Sequence, residues 1–286
     1  MTRFSSRPGT GRLPWRLAAF ALLVGGAWRL SAQGTPDDSS RVAPRLDTAV
    51  ASALAPAPTV AERMRVPFGP GERLTYDVRF GVIKVGTGVM ELQDVTTIRG
   101  QEAYHSRFRV RGGTLFYKVD DLFESWFDTG SLASLRFNLD QNEGRRDRER
   151  KYEIFPDRQT FREGEKAEEP SVANPLDEGS FLYYVRTLPL RPGDVYEVNR
   201  YFRPDRNPVR IRVLRRERVT VPAGTFNAVV VQPSIKTRGI FSEGGRAEVW
   251  LSDDGDRVMV QMKSQLSFGS LNLFLKSKQD GRRLAP

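Results

Sequence analysis

The sequence predicts a mainly β protein, built as a large curved antiparallel sheet or partly open β-barrel with one covering helix. Three observations lead there. Apolar residues recur at every second position in several separate runs, and turn residues punctuate the chain between those runs. Between most of the runs, no 3.6-residue periodicity supplies the crossover helix that parallel strands need.

The first run sets Leu74, Tyr76, Val78 and Phe80 against Arg73, Thr75, Asp77 and Arg79, the two-residue period of a strand with one dry face and one wet face. The same choice recurs. Phe108 and Val110 alternate with Arg107, Arg109 and Arg111; Ile211 and Val213 with Arg210 and Arg212; Val258, Val260 and Met262 with Gln261 and Lys263. Turn chemistry falls between such runs at Arg99-Gly100, Asn142-Glu143-Gly144, Pro156-Asp157, Pro222-Ala223-Gly224, Gly244-Gly245 and Asp253-Asp254-Gly255-Asp256. A sheet of this size is expected to curve, since a flat one leaves long edges and one face unprotected.

One segment reads as helix. Asn174-Pro175 offers an N-cap followed by proline at the first helical position, and Phe181, Tyr184, Val185 and Leu188 follow at i, i+3, i+4 and i+7. Pro189 and Pro192-Gly193 stop it. The helix is expected to cover part of the sheet and to divide the strands into an earlier and a later group.

The N-terminus has a different character. Arg3, Arg7, Arg12 and Arg16 precede the apolar stretch from Leu17 to Ala27, and Leu30-Ser31-Ala32 precedes Gln33, the order of a signal peptide over residues 1–32. The apolar stretch is shorter than the roughly 20 residues of a membrane-spanning helix, so the mature form is expected to hold no stable span. An uncleaved N-terminal anchor is the alternative. Residues 33–65 are rich in Pro, Ala, Ser and Thr and cannot bury enough surface to order, so they read as a disordered linker before a single β-rich domain over residues 66–280. The expected location is the periplasm, with secretion as the alternative.

Composition excludes several classes. Cysteine is absent, which removes a disulfide framework and the lipid-modified cysteine of a bacterial lipoprotein. Of the formal charge of +10, half is carried by five arginines in residues 1–32, where no acid occurs. The remaining basic residues interleave with acids, so no nucleic-acid-binding stripe is implied. The densest run, Arg145 to Lys151, mixes both signs and reads as a solvated hairpin, with a contact patch for anionic lipid or polysaccharide as its alternative.

The chemistry that could be present is thin. The single histidine, His105, shares strand parity with the arginines rather than with Phe108, and with no second His and no Cys a zinc site of the usual ligand type is excluded. No metal site, cofactor or catalytic constellation emerges. Asp120, Asp121, Glu124 and Asp128 cluster, and Glu124 shares a face with Leu122 and Trp126; it is a possible functional acid, or a structural one if a cation pairs with it. Asp253 to Asp256 lacks the spacing of a calcium loop and reads as a hairpin turn. The aromatic bulk is either filled core or the wall of a lipid-sized cavity, for which Trp126, Phe181, Tyr184 and Trp250 are the candidate lining.

The order of several motifs resembles an exported bacterial family known as domain of unknown function 3108. Gly71-Glu72-Arg73-Leu74-Thr75-Tyr76-Asp77-Val78 and Lys84-Val85-Gly86-Thr87-Gly88 resemble its opening. Val221-Pro222-Ala223-Gly224-Thr225-Phe226-Asn227-Ala228 and Val249-Trp250-Leu251-Ser252-Asp253-Asp254 resemble its second half. The resemblance spans roughly Pro67 to Lys278 and implies a periplasmic or envelope-associated β-rich protein with no catalytic residues to carry over. Where family members often have proline after the aspartate turn, this chain has Arg257-Val258.

The reading is a non-enzymatic exported envelope protein that binds an apolar ligand, such as lipid, or another envelope protein through its curved sheet. Two alternatives stand beside it: a carboxylate-dependent hydrolase of envelope glycan or lipid, and a structural scaffold.

Overall fold

The computed structural model describes residues 65–114, 117–236, 247–266 and 269–284. The segment read as a signal peptide, the linker up to residue 64 and the Gly244-Gly245 turn lie outside the described residues. The described strands are β1 (Arg73–Phe80), β2 (Ile83–Leu92), β3 (Thr96–Ile98), β4 (Gln101–Thr114), β5 (Tyr117–Asp128), β6 (Ser134–Glu143), β7 (Arg146–Phe155), β8 (Thr160–Glu163) and β9 (Glu169–Pro170). Then come helix α1 (Glu178–Thr187) and β10 (Val195–Val198), β11 (Val209–Val221), β12 (Gly224–Ser234), β13 (Glu248–Ser252), β14 (Met259–Leu266) and β15 (Gly269–Gln279).

These strands form one sheet in the order β10-β11-β12-β13-β14-β15-β1-β2-β4-β5-β6-β7-β8-β9, with β3 paired to β4. Neighbours along this path run antiparallel, so each half is a meander that needs no crossover connection. The two halves join where the first strand meets the last: Arg73 pairs with Gln279 and Phe80 with Leu271. The sheet does not close into a barrel. Residues 171–194, α1 among them, connect its two outer strands, and Leu176 ties to the segment ahead of β11 by accepting from Phe202 N at 2.9 Å.

Curvature has local causes. Pairing slips by one residue at Thr75/Tyr76, Val78/Arg79, Trp126/Phe127, Val213/Arg215 and Trp250/Leu251, and each such bulge bends its strand. Glycines permit close approach elsewhere: a Cβ on Gly112 would stand 2.2 Å from the Val85 carbonyl oxygen, and one on Gly86 would stand 2.4 Å from that of Arg111. Gly86 and Gly112 therefore serve the close packing of β2 on β4.

Alternation places side chains as expected along β1, β4 and β11, with Tyr76, Val110 and Ile211 buried. It fails around β14. Trp250 pairs with Gln261 but Leu251 pairs with Met259, so the extra residue breaks the period, and Val258 through Met262 are all buried. Turn chemistry is borne by particular residues. Arg99 and Gly100 both take positive φ between β3 and β4, and Arg257 takes φ 49 after the aspartate turn, a value closed to proline.

The helix begins later than its sequence signal suggests. Asp177, not Asn174, is the N-cap, and Pro175 lies ahead of the helix; Asn174 takes a left-handed φ of 47. Asp177 wins because its carboxylate accepts from Gly179 N at 2.7 Å and Ser180 N at 3.0 Å, while Asp177 N donates back to Ser180 Oγ, a capping box. The buried positions of α1 are Ser180, Tyr183, Val185 and Arg186, whereas Phe181, Tyr184 and Leu188 are half-buried. The helix is turned relative to its apolar stripe because polar bonds at both ends fix it.

Candidate functional site

Those bonds define the concave side of the sheet. At the helix N-terminus, Asp177 is fully buried, and its second carboxylate oxygen accepts from Ser125 Oγ on β5 at 2.6 Å. Its backbone N donates to Ser134 Oγ on β6 at 2.8 Å, and Ser134 Oγ meets Ser180 Oγ at the same distance. Small residues allow this seating: a Cβ on Gly179 would lie 2.6 Å from Ser125 Cβ. Burial raises the Asp177 pKa to about 6 against these hydrogen bonds, which pull it down. Next to it, burial raises Glu178 to about 7, although Tyr201 donates its hydroxyl to the carboxylate.

At the other end, Arg186 donates twice to Glu72, at 2.6 and 2.7 Å, and once to the Asp256 carbonyl oxygen at 2.8 Å. Both partners are buried, and the guanidinium lies 5.1 Å from the Phe68 ring centroid and 5.5 Å from that of Tyr183. The helix is thus held to β5, β6, the lead-in to β1 and the turn between β13 and β14.

Its other flank meets the later strands through apolar side chains. Phe181, Leu182 and Val185 face Ile211, Val249 and Leu251 across a cavity of ≈ 20 Å³. That is room for about one water, not for an acyl chain. The concave side is otherwise packed here, with Tyr76, Phe127, Val229 and Leu275 fully buried.

The four candidate lining residues do not meet. Phe181 lines this cavity. Tyr184 is half-buried beneath the Arg200 guanidinium, 4.9 Å from its ring centroid. Trp126 lies between Ser125 and Phe127, which face α1, so alternation puts it on the opposite face of the sheet. There it stacks on His105 at 4.3 Å and 10°. Trp250 likewise alternates with the cavity-lining Val249 and Leu251. It is buried on the outer face, donating Nε1 to Glu217 beneath Arg215 and Lys263.

Glu124 also lies on the outer face. Its Oε1 is 3.1 Å from His105 Nε2 and 3.0 Å from Arg107 Nε. The hydrogen bond from His105 and the charge of Arg107 hold its carboxyl below the usual range, so at neutral pH it is ionised and has no proton to give as a general acid. His105 is thus a hydrogen-bonding partner of Glu124 in an outer-face cluster that Arg107 completes. In the aspartate turn, Asp254 Oδ1 accepts from Ser252 Oγ, Asp256 N and Arg257 N, a turn cap rather than a calcium ligand. Among the described residues, no group of three or more His, Cys, Asp or Glu is placed to hold a metal ion.

A different carboxyl pair was not singled out from the sequence. Asp121 on β5 and Glu143 on β6 are both buried, and burial together with the neighbouring Glu143 raises Asp121 to about 7. Asn142 N donates to Asp121 at 3.1 Å, and Gln141, directly across from Asp121, buries an Nε2 without a partner. The signal was parity: Asp121 shares a face with Phe123 and Phe127, and Glu143 with Phe137 and Leu139.

Comparison with known proteins agrees with this architecture. The model of a family described as "Protein of unknown function (DUF3108)" matches residues 75–276. The chain belongs to that family. No curated protein matches the sequence. Among solved structures, the fold is similar to a β-barrel-like protein of domain of unknown function DUF1849 from Brucella abortus, with TM-score 0.50 and 11% identity over 76% of this chain and 100% of that one. A candidate lipoprotein from Parabacteroides distasonis matches at TM-score 0.35 and 15% identity, covering 75% of this chain and 98% of that one. A candidate exported protein with a YmcC-like fold from Bacteroides fragilis matches at TM-score 0.34 and 12% identity, covering 76% and 100%.

Proposed function

We propose that this protein is a non-enzymatic component of the cell envelope that binds an apolar chain, such as a lipid acyl group, at the seam between α1 and strands β11 to β13. The observation that carries the reading is the asymmetry of the helix. Charged and polar bonds fix its two ends, to Ser125 and Ser134 at one and to Glu72 and the Asp256 carbonyl oxygen at the other, whereas along its middle Phe181, Leu182 and Val185 meet apolar residues of the later strands around an incompletely filled space. Parting an apolar contact and refilling it with another apolar surface leaves no polar group unpaired, so this flank is where the structure opens at least cost. In the closed form the space is ≈ 20 Å³, and an acyl chain enters only as the half-buried Phe181 and Leu182 rotate away. Export, and a periplasmic address, are supported by the basic, apolar, small-residue order of residues 1–32.

The carboxylate-hydrolase alternative loses its motivating residue, because Glu124 is paired with His105 and Arg107. Asp121 and Glu143 would have to serve instead, and a substrate would first have to displace what buries them. The test is titration with a fluorescent fatty-acid analogue. Wild type should bind at micromolar concentration, Leu182→Ser should weaken binding more than it lowers the unfolding midpoint, and Tyr184→Ser should leave binding intact. Absence of binding by the wild type overturns the reading.

A further inference from the structure

The strand register collects several turns into a rim at one end of the sheet. Gly86 pairs with Gly112, Gly112 with Val119, Val119 with Glu143 and Glu143 with Arg146, so these positions form one row across β2, β4, β5, β6 and β7. The β1–β2 and β6–β7 turns therefore lie at the same end, about four strand spacings, or ~20 Å, apart along the sheet. Gly144 N donates to the Lys118 carbonyl oxygen at 2.8 Å, which brings the start of β5 to the same place.

The β1–β2 turn is tight. Phe80 pairs with Ile83, leaving Gly81 and Val82 as a two-residue turn, and Gly81 supplies the φ of 59 that its first position needs. Val82 is 90% exposed and Ile83 67%, the two most exposed large apolar side chains among the described residues. Turn geometry asks for neither of them. Around the same rim, Lys118, Arg145, Arg146 and Arg148 are exposed and make no ion pair among the described residues, whereas on the β1–β2 hairpin itself Lys84 is held by Asp77 at 2.7 Å.

We propose that this rim docks on an anionic lipid bilayer, the Val82-Ile83 tip entering the interface while Lys118, Arg145, Arg146 and Arg148 meet phosphate headgroups. A protein partner would be expected to offer a shaped recess for a fixed patch. Here the apolar residues project as a point and the cations are spread over neighbouring turns, which fits a fluid surface that adapts to them. Docking of this kind is peripheral, and it engages neither the helix nor the cavity beside it.

The absence of cysteine allows a label to be placed at one position. The purified protein carrying Val82→Cys is labelled with the polarity-sensitive dye NBD and titrated with vesicles of phosphatidylglycerol and phosphatidylcholine, or of phosphatidylcholine alone. A Gln279→Cys label, at the opposite end of β15, reports on mere proximity caused by the N-terminal segment. The proposal requires emission at position 82 to rise about threefold with the anionic vesicles alone, with position 279 unchanged. It also requires Lys118→Glu with Arg145→Glu to raise the lipid needed for half-saturation about tenfold, and added salt to do the same. Equal signals at both positions, equal response to the neutral vesicles, no response to either, or no effect of charge reversal overturns it. So does displacement of the label's signal by an acidic protein rather than by lipid.

Discussion

Replacing Arg186 by methionine tests the anchoring of α1 most directly, because methionine keeps much of the stem's volume and removes the charge. The native guanidinium makes two bonds to Glu72 and one to the Asp256 carbonyl oxygen, with both charged partners buried. Its loss leaves the Glu72 carboxylate stranded in a site walled by Phe68, Tyr76 and Tyr183. Stranding one member of a buried pair costs about 3–5 kcal/mol, a large share of the ~5–15 kcal/mol that holds a domain together. With a urea m-value of about 2–3 kcal/mol/M for a domain of this size, the midpoint should fall by about 1.5 M. Replacing both partners, Glu72→Met with Arg186→Met, removes the stranded charge and should recover most of that loss. The assay is urea unfolding of the two single variants and the double, closed as a thermodynamic cycle. A single-variant cost below about 1 kcal/mol, or a double variant no better than the singles, would refute the claim that charge pairing anchors the helix.

Three further outcomes are expected. Asp177→Asn should cost less than Asp177→Ala, because asparagine also caps Gly179 and Ser180 although its Nδ2 does not accept from Ser125 Oγ; Asp177→Ala loses both and should cost about 2 kcal/mol by urea unfolding, the upper range for a cap. Asp121 has a folded pKa of about 7, above its unfolded value, so the folded state holds the extra proton and stability rises as pH falls from about 7 toward 5. Asp121's share of the gain should be of order 1–3 kcal/mol and should be missing in Asp121→Asn, which keeps the shares of Glu178 and Asp177, whose pKa values are also raised; the trend should reverse at lower pH as carboxylates with lowered pKa, such as Glu124 and Asp254, protonate. Trp250→Ala should cost about 3–5 kcal/mol despite lying on the outer face, as measured by chemical denaturation, because the indole is buried under Arg215 and Lys263.

Strand parity was legible in the sequence because it is a local property. A side chain's face follows from its neighbours two residues away, which is why Leu74, Tyr76 and Val78, or Ile211 and Val213, were placed inside and His105 outside. The same rule misjudged the run around β14, where the partner strand forces an extra residue into the pairing opposite Trp250 and Leu251. No pattern within β14 records that bulge.

The sequence by itself determined the fold class, the turns at Arg99-Gly100, Asn142 to Gly144, Pro156-Asp157, Pro222 to Gly224 and Asp253 to Asp256, and the existence of a covering helix, since periodicity and turn chemistry act over a few residues. Only the tertiary structure decided that the first strand meets the last, that Asp177 rather than Asn174 caps α1, and that Arg186 turns inward to Glu72. It also decided that Trp126 and Trp250 face away from the helix while Asp121 and Glu143 share a buried site. Each of these depends on partners that lie far away in the chain or on another strand. The energy of a buried charge or cap is fixed by what surrounds it, and those surroundings do not exist until the sheet has assembled.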